Sequence, residues 1–170
     1  TVNIEPRVGG DRRKYELEDF FPGFEFTDGL SISNWPLKFN LSGPLPGNKL
    51  HFFTGTNLDY DKNLVFEPGG SRRTPVWNLS NLSVLQYTAS PRNLITGGLL
   101  LNYFSAPLSG ITPLDPPETT KDITEERSFV YIKDQFSFVN GTIAELGYGR
   151  YRSYIREIPQ GNGFLEFFPD

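Results

Sequence analysis

From Phe20 onward, apolar and polar residues alternate in short runs rich in β-branched and aromatic side chains, cut by Gly, Pro and Asn. The runs 23–33, 37–42, 49–58, 63–67, 75–88, 94–104, 127–139, 142–158 and 163–168 read as strands. A period of two marks a strand with one wet face, and many such strands at regular spacing predict an all-β sandwich or barrel. The expected fold is an antiparallel β-barrel, with a two-sheet β-sandwich or jelly roll as the alternative. No helical stripe exceeds two turns. The nearest is 78–88, where Leu79, Leu82 and Leu85 recur every three residues and predict a partly helical segment.

The sharpest local signal is Asn140-Gly141, which lies between two alternating runs. A two-residue turn there needs positive φ at both central residues, which Asn and Gly tolerate best. Such a turn pairs residues whose numbers sum to 281. It sets Phe138 with Ile143, Ile132 with Gly149 and Val130 with Tyr151 on one, core-facing side. It sets Tyr131 with Arg150, Phe129 with Arg152 and Glu125 with Arg156 on the other. The stretch 147–158, GYGRYRSYIREI, therefore reads as a wet strand whose arginines find partners within their own sheet. It also offers a candidate ligand surface of Tyr131, Tyr148, Arg150, Arg152 and Tyr154, on which a sugar, a base or an aromatic ligand could stack.

The segmentation predicts an N-terminal arm over 1–14 and one β domain over 15–170. That domain is broken by a long loop over 105–124, which carries Pro107, Pro113, Pro116 and Pro117. Proline lacks the amide a central strand needs.

Composition narrows the chemistry. At 170 residues one domain can bury roughly 70% of its unfolded surface. With no cysteine, disulfides, thiolate metal sites and cysteine nucleophiles are excluded. His51 is the one histidine, too few for a structural zinc site. The net charge of -4 argues against a nucleic-acid partner. No apolar run approaches the roughly 18–20 residues of a membrane helix, so no membrane span is expected. Methionine is absent, even at position 1. That absence and four N-x-S/T sequons, at Asn40, Asn78, Asn81 and Asn140, predict a processed extracellular or lumenal glycoprotein.

Two further constellations carry candidate chemistry. Asp59, Asp61 and Asn63 have the alternating oxygen-donor spacing that opens a calcium loop. Leu64 and Gly70 occupy the positions where an EF-hand requires Gly and Glu. The plain reading is an acidic hairpin turn between 49–58 and 63–67; the metal reading is a looser surface calcium site. No other cofactor is implied. His51 could act as a general base, but no G-x-S-x-G motif supplies a nucleophile for it.

The function expected is non-enzymatic. It is a secreted or lumenal β module that binds a small ligand or a protein partner, as a structural subunit or a homo-oligomer in one variant. The alternative is a cofactor-free β-barrel isomerase or cyclase that uses Tyr, His51 or a carboxylate for acid–base work.

Overall fold

A computed structural model describes residues 11–26, 29–47, 49–67, 70–109 and 120–160. It is all-β: β1 (Lys14–Glu18), β2 (Gly23–Glu25), β3 (Ser31–Pro44), β4 (Leu50–Glu67), β5 (Gly70–Ser90), β6 (Asn93–Ser109), β7 (Lys121–Ser137) and β8 (Ile143–Pro159). From β3 on, each strand pairs antiparallel with the next, giving one sheet in the order β1-β3-β4-β5-β6-β7-β8. β1 and β2 lie one after the other along the free edge of β3. The residues between them, 19–22, make the break, where Asp19 takes φ 52°.

The barrel does not close. β1 and β8 are the two ends of the sheet, with no pairing between them. Nor does a second sheet cover either face, so the sandwich is also absent among the described residues. Alternation shows that one face of a strand is apolar; it carries no information about what covers that face.

Several local expectations change. β4 runs unbroken through Asp59–Asn63, so the acidic turn is not there. Asp59, Asp61 and Asn63 alternate with Leu58, Tyr60 and Lys62 along the strand, on the opposite face. Residues 78–88 are strand, and the Leu79/Leu82/Leu85 spacing does not make a helix. The Pro-rich loop is shorter than 105–124, because β6 continues to Ser109 and β7 begins at Lys121. Pro107 sits where the β6–β7 register shifts, between Ala106 and Ser109. Beside it Leu108 takes φ 51° and donates its N–H to Asp122 Oδ1 at 2.9 Å. A bulge is where a strand tolerates proline. Lys14, assigned to the arm, opens β1. Residues 1–10 and the expected strand 163–168 lie outside the described residues.

The hairpin between β7 and β8 turns at Asn140-Gly141 but contains three residues, Val139, Asn140 and Gly141. Gly141 N–H donates to Phe138 O at 3.1 Å, and Phe138 N–H donates to Thr142 O at 2.8 Å. Only Gly141 is left-handed, at φ 82°. The Asn140 side chain accepts from Thr142 N–H at 3.1 Å. This is a type I turn followed by a glycine bulge. The extra residue moves the register by one, so partners sum to 280. Arg150 faces Val130, Arg152 faces Ser128 and Arg156 faces Thr124.

The strand-borne side chains that the sheet buries most, Val65, Thr74, Val84, Thr96 and Ala106, all fall on one face once the pairings are followed from β4 to β7. A methyl group added to Gly55, Gly98 or Gly149 on that face would meet neighbouring side chains; one added to Gly97 on the opposite face would meet only a carbonyl oxygen at 3.8 Å. Side chains therefore cover Gly55, Gly98 and Gly149 on one face more closely than they cover Gly97 on the other. We call the crowded face concave and the other convex.

Candidate functional site

Over β3–β6 the convex face is mostly apolar; on β7 and β8 it also carries Asp122, Glu126, Asp134, Arg150, Arg152 and Arg156. Along β6 it presents Ile95, Gly97, Leu99, Leu101 and Tyr103, and along β3 Trp35, Leu37, Phe39 and Leu41. Many of these side chains stand open: Leu85 is 46% exposed, Val130 52% and Ile132 55%. Contiguous exposed apolar side chains of this kind mark a surface that a partner, a ligand or a membrane covers.

The face is ordered from one end to the other. Residues 45–49, 91–92 and 138–142 form short connections at one end; the β6–β7 connection at the other end is longer. Toward the long end a transverse aromatic row crosses three strands: Trp35 pairs with Tyr60, and Tyr60 with Trp77. The Tyr60 and Trp77 rings lie 4.5 Å apart at 53°, and Trp35 Nε1 donates to Phe20 O at 3.0 Å. Beyond that row stands a charged group. Lys62 Nζ donates to Glu25 Oε1 at 2.7 Å and to Ser31 Oγ at 2.8 Å, and Arg73 pairs with the same carboxylate. Tyr87 marks the short-turn end of β5. Trp77 and Tyr87, ten positions apart on one face, are separated by roughly 34 Å along the strand.

Within the apolar field lies one polar knot that satisfies itself. Thr54 Oγ1 and Ser83 Oγ share a hydrogen bond of 2.9 Å. Asn81 Nδ2 donates to Thr56 Oγ1 at 2.8 Å, to Thr54 Oγ1 at 3.2 Å and to Gly55 O at 3.3 Å. Ser83 Oγ donates to Asn81 Oδ1 at 2.9 Å. Sequence reading missed this knot, although Asn81, Ser83, Thr54 and Thr56 each break the apolar alternation of their strands.

The concave face is polar and ion-paired. Lys121 meets Glu157 at 2.7 Å and Lys133 meets Glu145 at 2.5 Å; Arg127 pairs with Glu125. Among them lies a stacked aromatic pair, Phe129 and Tyr131, with rings 5.7 Å apart and 24° from parallel. Phe129 covers Gly149 and Tyr131 covers Gly98. Burial raises the Tyr131 phenol above its ordinary pKa, against an opposing pull from the Lys133 ammonium.

The expected ligand surface is divided by the sheet. Tyr148, Arg150, Arg152 and Tyr154 share the convex face of β8; Tyr131 is on the concave face, opposite Gly149. The cross-strand partners expected for the arginines are therefore not theirs: Tyr131, Phe129 and Glu125 all lie on the other face. His51 is concave, paired with Pro44 and Gln86, so it and the arginines do not converge. Asp59, Asp61 and Asn63 share the concave face of β4. Alternate residues of a straight strand stand about 6.7 Å apart, too wide for three ligands at 2.3–2.6 Å from one ion. Among the described residues no cluster of His, Cys, Asp and Glu suits a metal. Of the sequon asparagines, Asn40 donates to Glu16 Oε2 at 3.1 Å and Asn81 is held in the knot. Asn78 is exposed on β5, and Asn140 stands in the exposed turn.

No family model matches the chain, and neither a curated protein nor a solved structure does. Among the described residues no helix is long and apolar enough to cross a membrane.

Proposed function

We propose that this sheet is a wall segment of a transmembrane β-barrel, with its convex face against lipid and its concave face toward a polar lumen. The barrel closes through further strands added at β1 and β8. The observation that carries this reading is the order of the convex face. Over β3–β6 it has an apolar field, aromatic residues at both of its ends on β5, and a charged group beyond the Trp35–Tyr60–Trp77 row. Barrels that cross membranes have an outward apolar band about 25 Å tall, bounded by aromatic girdles. The Trp77–Tyr87 segment, tilted by roughly 45°, spans about 24 Å. The polar knot fits the same setting, because hydroxyl and amide groups facing hydrocarbon must bond one another.

Both tryptophans of the chain lie on the aromatic row, which makes them depth reporters. In phosphatidylcholine vesicles with brominated acyl chains, the full chain should show strong tryptophan quenching, greatest with bromine near the headgroup. Full quenching by aqueous acrylamide, with none by brominated lipid, would remove the reading.

A second reading is the secreted or lumenal module that binds a small ligand or a protein partner. One observation favours it: the stacked Phe129–Tyr131 pair on the concave face is an aromatic shelf bordered by Arg127 and Lys133. The quenching experiment separates the two, since a water-filled surround leaves both tryptophans open to acrylamide.

A further inference from the structure

We propose that a partner strand, other than a second copy of this chain, pairs with the edge of β8 and sets a carboxylate beside Arg150. This inference rests on the transmembrane reading above. β8 ends the sheet and is exposed along its whole length. Such an edge offers unpaired N–H and C=O groups to another strand. Followed across the sheet, the pairings put Arg150 level with Val130, Leu99 and Ser83, and Arg152 level with Ser128, Leu101 and Asn81. Both guanidinium groups therefore stand at mid-height, beside the apolar field and level with the polar knot. The knot satisfies itself.

The arginines of β8 are not equally served. Diagonal positions on paired strands lie within reach of long side chains. On the convex face of β7, Glu126 stands opposite Tyr154, diagonal to both Arg152 and Arg156; Asp122 stands opposite Ile158, diagonal to Arg156. Arg150 faces Val130 and has Ser128 and Ile132 on its diagonals. It has no acid within that reach, and no hydrogen bond or ion pair among the described residues. A guanidinium cannot shed its charge, and an unpaired one facing hydrocarbon at mid-height is strongly unfavourable. The compensating carboxylate has to come from the side on which β8 has no strand.

A second copy does not supply it. β1 turns Tyr15 and Leu17 to the convex side and Glu16 and Glu18 to the other. Glu25 of β2 is already shared by Lys62 and Arg73. A second β8 would bring arginines of its own.

The test measures the anisotropy of labelled peptides against the full chain in zwitterionic detergent. One short peptide alternates Thr with Val, Leu, Glu, Leu and Val, so that Glu stands among apolar neighbours on one face; a second has Lys in place of Glu. Wild type should bind the Glu peptide about tenfold or more tighter than the Lys peptide. At unchanged melting temperature, Arg150→Gln should erase that preference, Arg150→Glu should reverse it and Arg150→Lys should keep most of it. A third peptide, with Glu moved one place onto the other face, should lose the advantage. Absent or equal binding of the first two peptides by wild type would overturn the proposal. So would a preference that survives Arg150→Gln, or a third peptide as good as the first, since that marks general attraction rather than strand addition. If the transmembrane reading itself is wrong, wild-type tryptophans escape brominated lipid whatever the peptides do. If only this inference is wrong, the tryptophans are quenched and the Glu and Lys peptides bind alike.

Discussion

Tyr131 on β7 lies so close over Gly98 on β6 that a methyl group at position 98 would overlap its ring. One residue earlier, Gly97 points to the convex face, and an added methyl meets only the Tyr131 carbonyl oxygen at 3.8 Å. Two adjacent glycines of one strand therefore have opposite tolerances. Gly98→Ala should push Tyr131 off Phe129 and cost about 1–3 kcal/mol, the usual range for overpacking, whereas Gly97→Ala should be close to neutral. Denaturant midpoints decide it. The cause is checked by Tyr131→Ala, which should relieve most of the Gly98→Ala loss in the double variant. Simple addition of the two losses would reject the overlap.

The same ring sets an alkaline response. Burial favours the neutral phenol, so the folded-state pKa of Tyr131 lies above the unfolded value of about 10. A raised value means the contribution is fully present below about pH 10 and is lost as pH climbs through the folded pKa, because the unfolded chain loses that proton first. Near-ultraviolet phenolate absorbance should show one tyrosine titrating after the others. Tyr131→Phe should remove that late component and flatten the fall in stability above about pH 10. A wild-type titration with a single midpoint near the free value would contradict the burial.

Register in the β7–β8 hairpin depends on one left-handed residue. Gly141→Val forces a β-branched side chain to φ 82°, at a cost of about 1–2 kcal/mol. Asn140→Ala loses only the 3.1 Å bond from Thr142 N–H, worth about 0.5–1.5 kcal/mol. The expected order of unfolding midpoints is wild type, Asn140→Ala, Gly141→Val. The reverse order would mean that both positions share a two-residue turn.

That turn shows what was legible in the sequence and what was not. Asn140-Gly141 located the reversal, because few other residues tolerate its backbone. It did not fix the loop length, since glycine serves equally as the end of a two-residue turn or as a bulge after a three-residue one, and Val139 is a good strand former. A one-residue difference moved Arg150 from Tyr131 to Val130 and divided the candidate surface between two faces. Strand content was readable wherever alternation was clean, as in β6 and β8. It failed at Asp59 and Asp61, whose polarity resembles a turn but in fact marks the wet face of a long strand. Closure was not legible, because an apolar face looks the same whether a second sheet, a lumen or lipid covers it. The Glu25–Lys62–Arg73 group was also hidden, because its members come from three strands.

The polar knot separates a burial effect from a simple loss of contacts. Asn81→Ala removes the donor to Thr54, Thr56 and Gly55 O and the acceptor for Ser83. The three hydroxyls remain on an apolar face with fewer partners. A stranded polar group costs about 1–3 kcal/mol, whereas replacing all partners with apolar groups of similar shape is nearly neutral. Asn81→Ala should therefore be more destabilising than the quadruple variant Asn81→Leu/Thr54→Val/Thr56→Val/Ser83→Ala, although the latter deletes more hydrogen bonds. In lipid the gap should widen, because no water reaches the stranded hydroxyls. Urea midpoints of both variants, in detergent and in vesicles, give the comparison. A quadruple variant weaker than the single one in both media would mean that water, not hydrocarbon, surrounds Thr54, Asn81 and Ser83.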